Sequence, residues 1–230
     1  MNQEAFWAAV ESFDADTLLR MPRTALSERF GTEFADMKDY PQNNPHHCYD
    51  LLEHTLRTAA ALDLGGLSAQ DARELLIAAL YHDVGKPAVA QPKAGRTVFY
   101  GHAKVSERAA RRQLRQIGLG GESLERICFY IREHDAFISH KLPEELRGVT
   151  NPYLRPITAA EVAETVRCMQ ERARQGGWSP TREIVLRLLR LCLADAAAQS
   201  GTAVQNGVVV DTRERKIARL EAVRRLLSEH

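Results

Sequence analysis

His54, the dipeptide His82-Asp83 and Asp195 place imidazoles and carboxylates on stretches that are otherwise apolar. In Ile184 to Asp195 the residues on the same helical face as Asp195 are Leu188, Leu191 and Cys192. Burying an ionised carboxylate there costs several kcal/mol unless a cation or several donors receive it. An aspartate that caps a neighbouring helix, or pairs with an arginine, is the ordinary alternative. His54 repeats the conflict: His47, Asp50 and His54 recur at spacings of three and four beside Leu51. Asp50 is therefore expected to accept a proton from the non-ligating nitrogen of His54, with His47 beside it, as carboxylates behind metal-bound imidazoles do. A lone histidine on such a face is more often a hydrogen-bonded core residue. An imidazole with a carboxylate suits a divalent Mn, Fe, Co, Ni or Mg ion, and Asp83 has two oxygens with which to bridge a pair of ions. Lys86 lies one helical turn beyond His82, where an ammonium can face the same cavity and receive a phosphoryl oxygen. Its alternative is a solvated lysine favoured by the helix dipole.

These groups need helices to hold them. His47 to Leu62 repeats apolar residues at helical spacing after the turn Tyr40 to Pro45. Ser68 is the expected N-cap of a helix over Ala69 to Asp83, and Pro87 its stop. Adjacent residues on a helix diverge by about 100 degrees, yet at a helix end both His82 and Asp83 can lean into one cavity. Periodicity lapses from Ala88 to Tyr100, which predicts a small β-hairpin or extended loop carrying Lys93 and Arg96, two candidates for contacting substrate. Gly101-His102 then opens a helix over Ala103 to Ile117, and His134-Asp135 closes one over Ser123 to Glu133. Lys141 to Pro156 reads as a proline-punctuated loop, followed by helices over Ala159 to Arg174 and Thr181 to Ala198. An amphipathic start over Ala5 to Leu19 and a terminal helix over Arg213 to Ser228 complete about eight helices. The terminal helix spaces Ile217, Leu220, Val223 and Leu227 along one face and could dock on the body or pair with a second copy. The class is all-α, with one β-hairpin or loop insertion after His82-Asp83. The expected division is a helical extension over 1–42 packed on the core, a main domain over 43–200 and a C-terminal helix over 201–230.

Composition removes several function classes. The chain has 230 residues, with 31 lysines and arginines against 30 aspartates and glutamates. A formal net charge of +1 gives no bulk attraction to nucleic acid or acidic membrane. Arg111, Arg112 and Arg115 form the largest basic cluster and read as a solvated face. No apolar run approaches a membrane span, and Met1 to Val10 lacks a positive flank, which together predict a cytoplasmic protein. Cys48, Cys128, Cys168 and Cys192 are widely separated, which suits apolar filling rather than a zinc ribbon or redox pair. His46, His140 and His230 read as surface or loop residues.

His54, His82-Asp83 and Asp195, in that order on separate helices, resemble the H…HD…D signature of the HD superfamily of metal-dependent phosphohydrolases. His82-Asp83-Val84-Gly85-Lys86 is similar to its HD-[I/L/V]-GK form. Phe99-Tyr100-Gly101-His102 and Arg132-Glu133-His134-Asp135 resemble its additional histidine positions. Asn44 to Asp50 adds a likeness to the HD domain of bacterial CCA-adding tRNA nucleotidyltransferases. The resemblance spans roughly residues 43–200, and the region before Asn43 is too short for a nucleotidyltransferase head, so a free-standing HD domain is expected. It implies that His54, His82, Asp83 and Asp195 hold a divalent ion, that His102 and His134 provide for a second, and that Asp83, His102, His134 and Lys86 act in catalysis. The implied substrate is a small phosphorylated molecule, a nucleotide phosphomonoester or a 2′,3′-cyclic phosphodiester, with RNA ends a further option. A mixed-valent di-iron oxygenase and a non-catalytic regulatory HD module are the alternatives.

Overall fold

The structure, a computed structural model, describes residues 2–43, 47–93, 95–138, 156–199, 202–205 and 208–229, with side chains described outside 202–211. His46, His140, His230 and the expected loop from Lys141 as far as residue 155 lie outside the described residues. The fold is all-α with two small antiparallel hairpins. Four short helices begin it: α1 (Gln3–Glu11), α2 (Ala15–Arg20), α3 (Arg23–Phe30) and α4 (Thr32–Ala35). The single helix expected over Ala5 to Leu19 is broken because Asp14 turns its carboxylate back to Thr17 N, at 2.7 Å, and caps a new helix.

Next come α5 (Leu51–Ala60), α6 (Ala69–Tyr81) and α7 (Lys86–Val89). Ser68 caps α6 by accepting from Asp71 N at 3.1 Å. Every residue from Glu74 to Tyr81 is buried, and α6 packs against α1, α5, α8, α9 and α11, which makes it the central helix. Pro87 does not stop the chain: it sits in the first turn of α7, where its missing N–H costs nothing. The hairpin β1 (Gln91–Lys93) and β2 (Arg96–Val98) follows with Pro92 opposite Thr97, and Thr97 N donates to Asn43 O at 2.9 Å. That bond straps the segment before α5 onto the hairpin.

The remaining helices are α8 (His102–Gln116), α9 (Gly121–Glu133), α10 (Ala159–Arg174), α11 (Arg182–Ala197) and α12 (Thr212–Ser228). Between the last two, β3 (Thr202–Gln205) pairs with β4 (Val208–Asp211), where only a helix is expected after residue 201. β-Branched residues on both sides of Asn206-Gly207 carried that signal in the sequence. The core runs from Phe6, Phe30 and Phe34 through Tyr81 into the α6, α9 and α11 faces. Phe30 and Phe34 stack at 4.4 Å, and Tyr81 Oη donates to Phe30 O at 2.7 Å, which anchors the end of α6 immediately before His82. Among the described residues no helix is long and apolar enough to cross a membrane.

Candidate metal centre

Six side chains that the sequence singled out meet at one point, drawn from helix interiors, helix ends and a turn. His54 projects from the middle of α5 and Asp195 from the last turn of α11. His82 and His134 are the C-caps of α6 and α9, and His102 is the first residue of α8. Asp83 follows His82 in the turn before α7. Gly85 lets that turn lie against α8: a Cβ there would stand 2.5 Å from Ser106 N and 2.8 Å from His102 O. The Gly85 N–H donates to Ser106 Oγ at 2.9 Å. The glycine of the HD-x-GK pattern therefore serves close backbone approach.

The Asp83 carboxylate divides the cluster in two. Its Oδ2 faces His82 Nε2 at 3.1 Å, His54 Nε2 at 3.4 Å and Lys86 Nζ at 2.7 Å. Its Oδ1 faces His102 Nε2 at 3.2 Å and His134 Nε2 at 3.8 Å. Asp195 Oδ1 closes the first half, 3.0 Å from His54 Nε2 and 3.7 Å from His82 Nε2. Ligand atoms of His54, His82 and Asp195, and of His82, Asp83 and His134, lie close enough together to hold a metal ion.

The ring orientations fit a cation. The Nδ1 atoms of His82, His102 and His134 lie 2.7, 2.9 and 2.7 Å from the carbonyls of Ala79, Phe99 and Ile131, each three residues earlier, and His54 Nδ1 lies 3.4 Å from Ala198 O. A carbonyl only accepts, so each Nδ1 donates and each Nε2 faces the cluster, with its lone pair free wherever the ring is neutral. The Nε2 atoms of His54 and His82 and the Oδ1 of Asp83 are buried without a partner in hydrogen-bond geometry. His102 Nε2 and His134 Nε2 face each other at 3.2 Å. Two lone pairs at that distance repel unless a cation or a proton receives them, and orphaned acceptors of this kind are what a divalent ion satisfies.

Electrostatics agree. Burial pulls the His82 imidazolium down, but Asp83 and Asp195 outweigh it and push the group up to about 10. Burial raises Asp83 and Asp195, yet the surrounding histidines, and Lys86 beside Asp83, hold both well below the usual carboxylate range. Burial and His82 push His134 down. In the metal-free protein a proton on His82 thus stands where a metal would compete.

Several expectations need correction. Asp50 does not reach His54: it is the N-cap of α5, accepting from Glu53 N at 2.8 Å, and the carbonyl of Ala198 takes the role assigned to it. His47 precedes the helix, with its ring edge-on to His54 at 4.7 Å and its Nδ1 buried without a partner among the described residues. Lys86 is 6% exposed, so the solvated alternative fails; it also donates to Gln42 Oε1 at 3.0 Å. Lys93 and Arg96 are exposed on the hairpin, and Lys93 Nζ turns to Tyr100 Oη at 3.1 Å. Arg111 binds Glu107 and Glu125, and Arg112 binds Glu33, which ties much of the basic face into ion pairs. Cys128 and Cys192 are buried, and burial pushes both thiols up, Cys128 to about 12, as befits fillers.

Three contributors are missed from the sequence, two of them, Gln42 and Lys216, without any local signal. Gln42 supports Lys86, Gln199 directs Nε2 at both oxygens of Asp195 at 3.4 and 3.3 Å, and Lys216 of α12 donates to Gln199 Oε1. Burial pushes the Lys216 ammonium down to about 8 against the pull of Asp195. Two surface clefts lie away from the cluster. One, about 330 Å³, is lined by Trp7, Arg73, Glu74 and Ser123, and the other, about 270 Å³, by Glu107, Arg111, Phe129, Arg172 and Trp178. The buried or half-buried charges there, Glu74, Glu107, Arg111 and Arg172, are already paired.

A family model described as HD domain matches residues 51–199. A CC-adding tRNA nucleotidyltransferase from Thermus thermophilus is 35% identical over an alignment of 150 residues that covers 60% of this chain and 33% of that protein. The chain spans about a third of the length of this relative.

Proposed function

Because the chain belongs to the HD-domain family, we propose that it is a metal-dependent phosphohydrolase acting on a nucleotide phosphomonoester or a 2′,3′-cyclic phosphodiester. The observation that carries the proposal is the Asp83 carboxylate, with two histidines on each oxygen and Lys86 on one of them. His54, His82, Asp83 and Asp195 would hold one divalent ion, and His102 and His134 would join Asp83 around a second. Bound there, the ions would supply Lewis acidity toward a phosphoryl oxygen and lower the pKa of water.

The chain's own groups supply the rest. Lys86 has three donors, of which Asp83 and Gln42 take two, so one is available to a non-bridging phosphoryl oxygen as its charge grows. Asp83 holds that ammonium in place. The backbone carbonyls on Nδ1 fix four imidazoles so that none rotates away from the cluster. The likeness to a tRNA nucleotidyltransferase favours a nucleotide or an RNA end over other phosphoesters, and retention of all six donors weighs against a non-catalytic module.

The test is turnover by metal-free protein reconstituted separately with Mn, Fe, Co, Ni and Mg, on a panel of nucleotide monophosphates and 2′,3′-cyclic nucleotides, with oxygen uptake followed in parallel. Release of phosphate or ring opening, absent in His82→Ala, is expected. Inactivity on the whole panel with every metal, or oxygen uptake without hydrolysis, would overturn the assignment.

A further inference from the structure

The helix α12 lies beyond the residues matched to the family, and it reaches the metal centre all the same. It packs on α11, its Leu220 and Val223 are fully buried, and Lys216 shares their face one turn earlier. Lys216 is 5% exposed, an uncommon place for an ammonium, and Nζ donates to Gln199 Oε1. Gln199 Nε2 in turn spans both oxygens of Asp195. An ammonium can only donate and an ionised carboxylate can only accept. The amide between them therefore has one orientation that serves both neighbours. Flipped, it would set a carbonyl oxygen against the carboxylate and an NH₂ against the ammonium.

We propose that Lys216 is a positioning residue of the metal centre, fixing the Gln199 amide so that its N–H groups hold the Asp195 carboxylate toward His54 and His82. The inference rests on reading the cluster as a metal site. Asp195 projects from an apolar face, with Leu188, Leu191 and Cys192 buried beside it, so on the side away from His54 and His82 little else limits rotation of its carboxylate. Gln199 supplies that limit, and Lys216 keeps Gln199 from turning over. A segment outside the matched domain thereby becomes part of the ligand sphere.

The sign of the effect separates this role from simple electrostatics. Removing a nearby positive charge should tighten binding of a cation, whereas loss of the relay should weaken it, by roughly tenfold as for other groups behind metal ligands. The experiment is calorimetric titration of metal-free full-length protein with Mn²⁺ for wild type, Lys216→Met, Gln199→Met and the double variant, with circular dichroism of each. Either single substitution is expected to raise Kd about tenfold, and the double variant to be no worse than either. Wild-type binding that persists unchanged or tightens in Lys216→Met would overturn the inference while leaving the metal reading intact. So would losses that multiply in the double variant. If Lys216→Met fails to fold, Gln199→Met alone decides: an unchanged Kd sinks the relay. No binding by wild type would remove the metal reading itself.

Discussion

One carboxylate is buried midway along α6 and another just past its end, and the two are treated differently. Glu74, midway along the helix, is 2% exposed and fully received: Arg126 donates Nε and Nη2 at 2.7 Å each, Ser123 Oγ donates at 2.7 Å and Gln70 Nε2 at 3.1 Å. Asp83, just past the end, is 1% exposed: Lys86 takes its Oδ2 at 2.7 Å, while its Oδ1 faces only the rings of His102 and His134, whose Nδ1 protons are committed to backbone carbonyls, and is left without a partner in hydrogen-bond geometry. Burial alone therefore does not mark a functional carboxylate. A guanidinium completes a structural ion pair, whereas a ring of Nε2 lone pairs completes only when a cation enters.

The sharpest way to break this contrast is to remove a neighbour of each carboxylate. His82→Ala should abolish metal binding and reduce turnover to background while the metal-free fold persists, read by calorimetry, phosphate release and thermal melting. Arg126→Ala should do the reverse, leaving metal affinity near wild type while costing about 3–5 kcal/mol of stability, since it strands a buried Glu74. Urea denaturation measures that loss, and equal effects of both variants on metal affinity would erase the distinction.

Gly85→Ala should fall between these two. Its Cβ would collide with Ser106 N on α8, which costs about 1–3 kcal/mol as overpacking and separates Asp83 from His102. Melting temperature and turnover should both drop, with turnover falling further than the stability loss explains. A smaller, graded effect is expected with pH. A metal must displace the proton that Asp83 and Asp195 hold on His82, a group pushed up to about 10. Affinity should therefore rise with pH through the neutral range, by roughly tenfold per unit for one displaced proton. Titrations at pH 6, 7 and 8 check the slope, and a flat profile would deny the competition.

The sequence exposed one side of this contrast more clearly than the other. His54, His82-Asp83 and Asp195 stand out because polar groups interrupt apolar helical faces, and periodicity locates the helices that carry them. The all-α class and the hairpin after His82-Asp83 follow from the same signal. Asp50 misleads because face-sharing on a helix fails at the N-cap, where the side chain bends to its own backbone. Gln42 and Lys216 carry no periodic signal, since Gln42 meets Lys86 and Lys216 meets Gln199 only through the fold, whereas Gln199 stands four residues after Asp195, a helical spacing that does carry one. At the N-terminus α1 and α2 read as one helix because the Asp14 cap between them is invisible to periodicity, while α3 and α4 escape because they are short, and tertiary packing on Phe30, Phe34 and Tyr81 stabilises what local propensity does not.

The most direct test is titration of the metal-free protein with Mn²⁺, wild type beside His82→Ala. Saturable binding by the wild type, accompanied by proton release and lost in His82→Ala, is the expected result. Absence of binding up to millimolar metal, or identical isotherms for the two proteins, would contradict a metal centre at the end of α6.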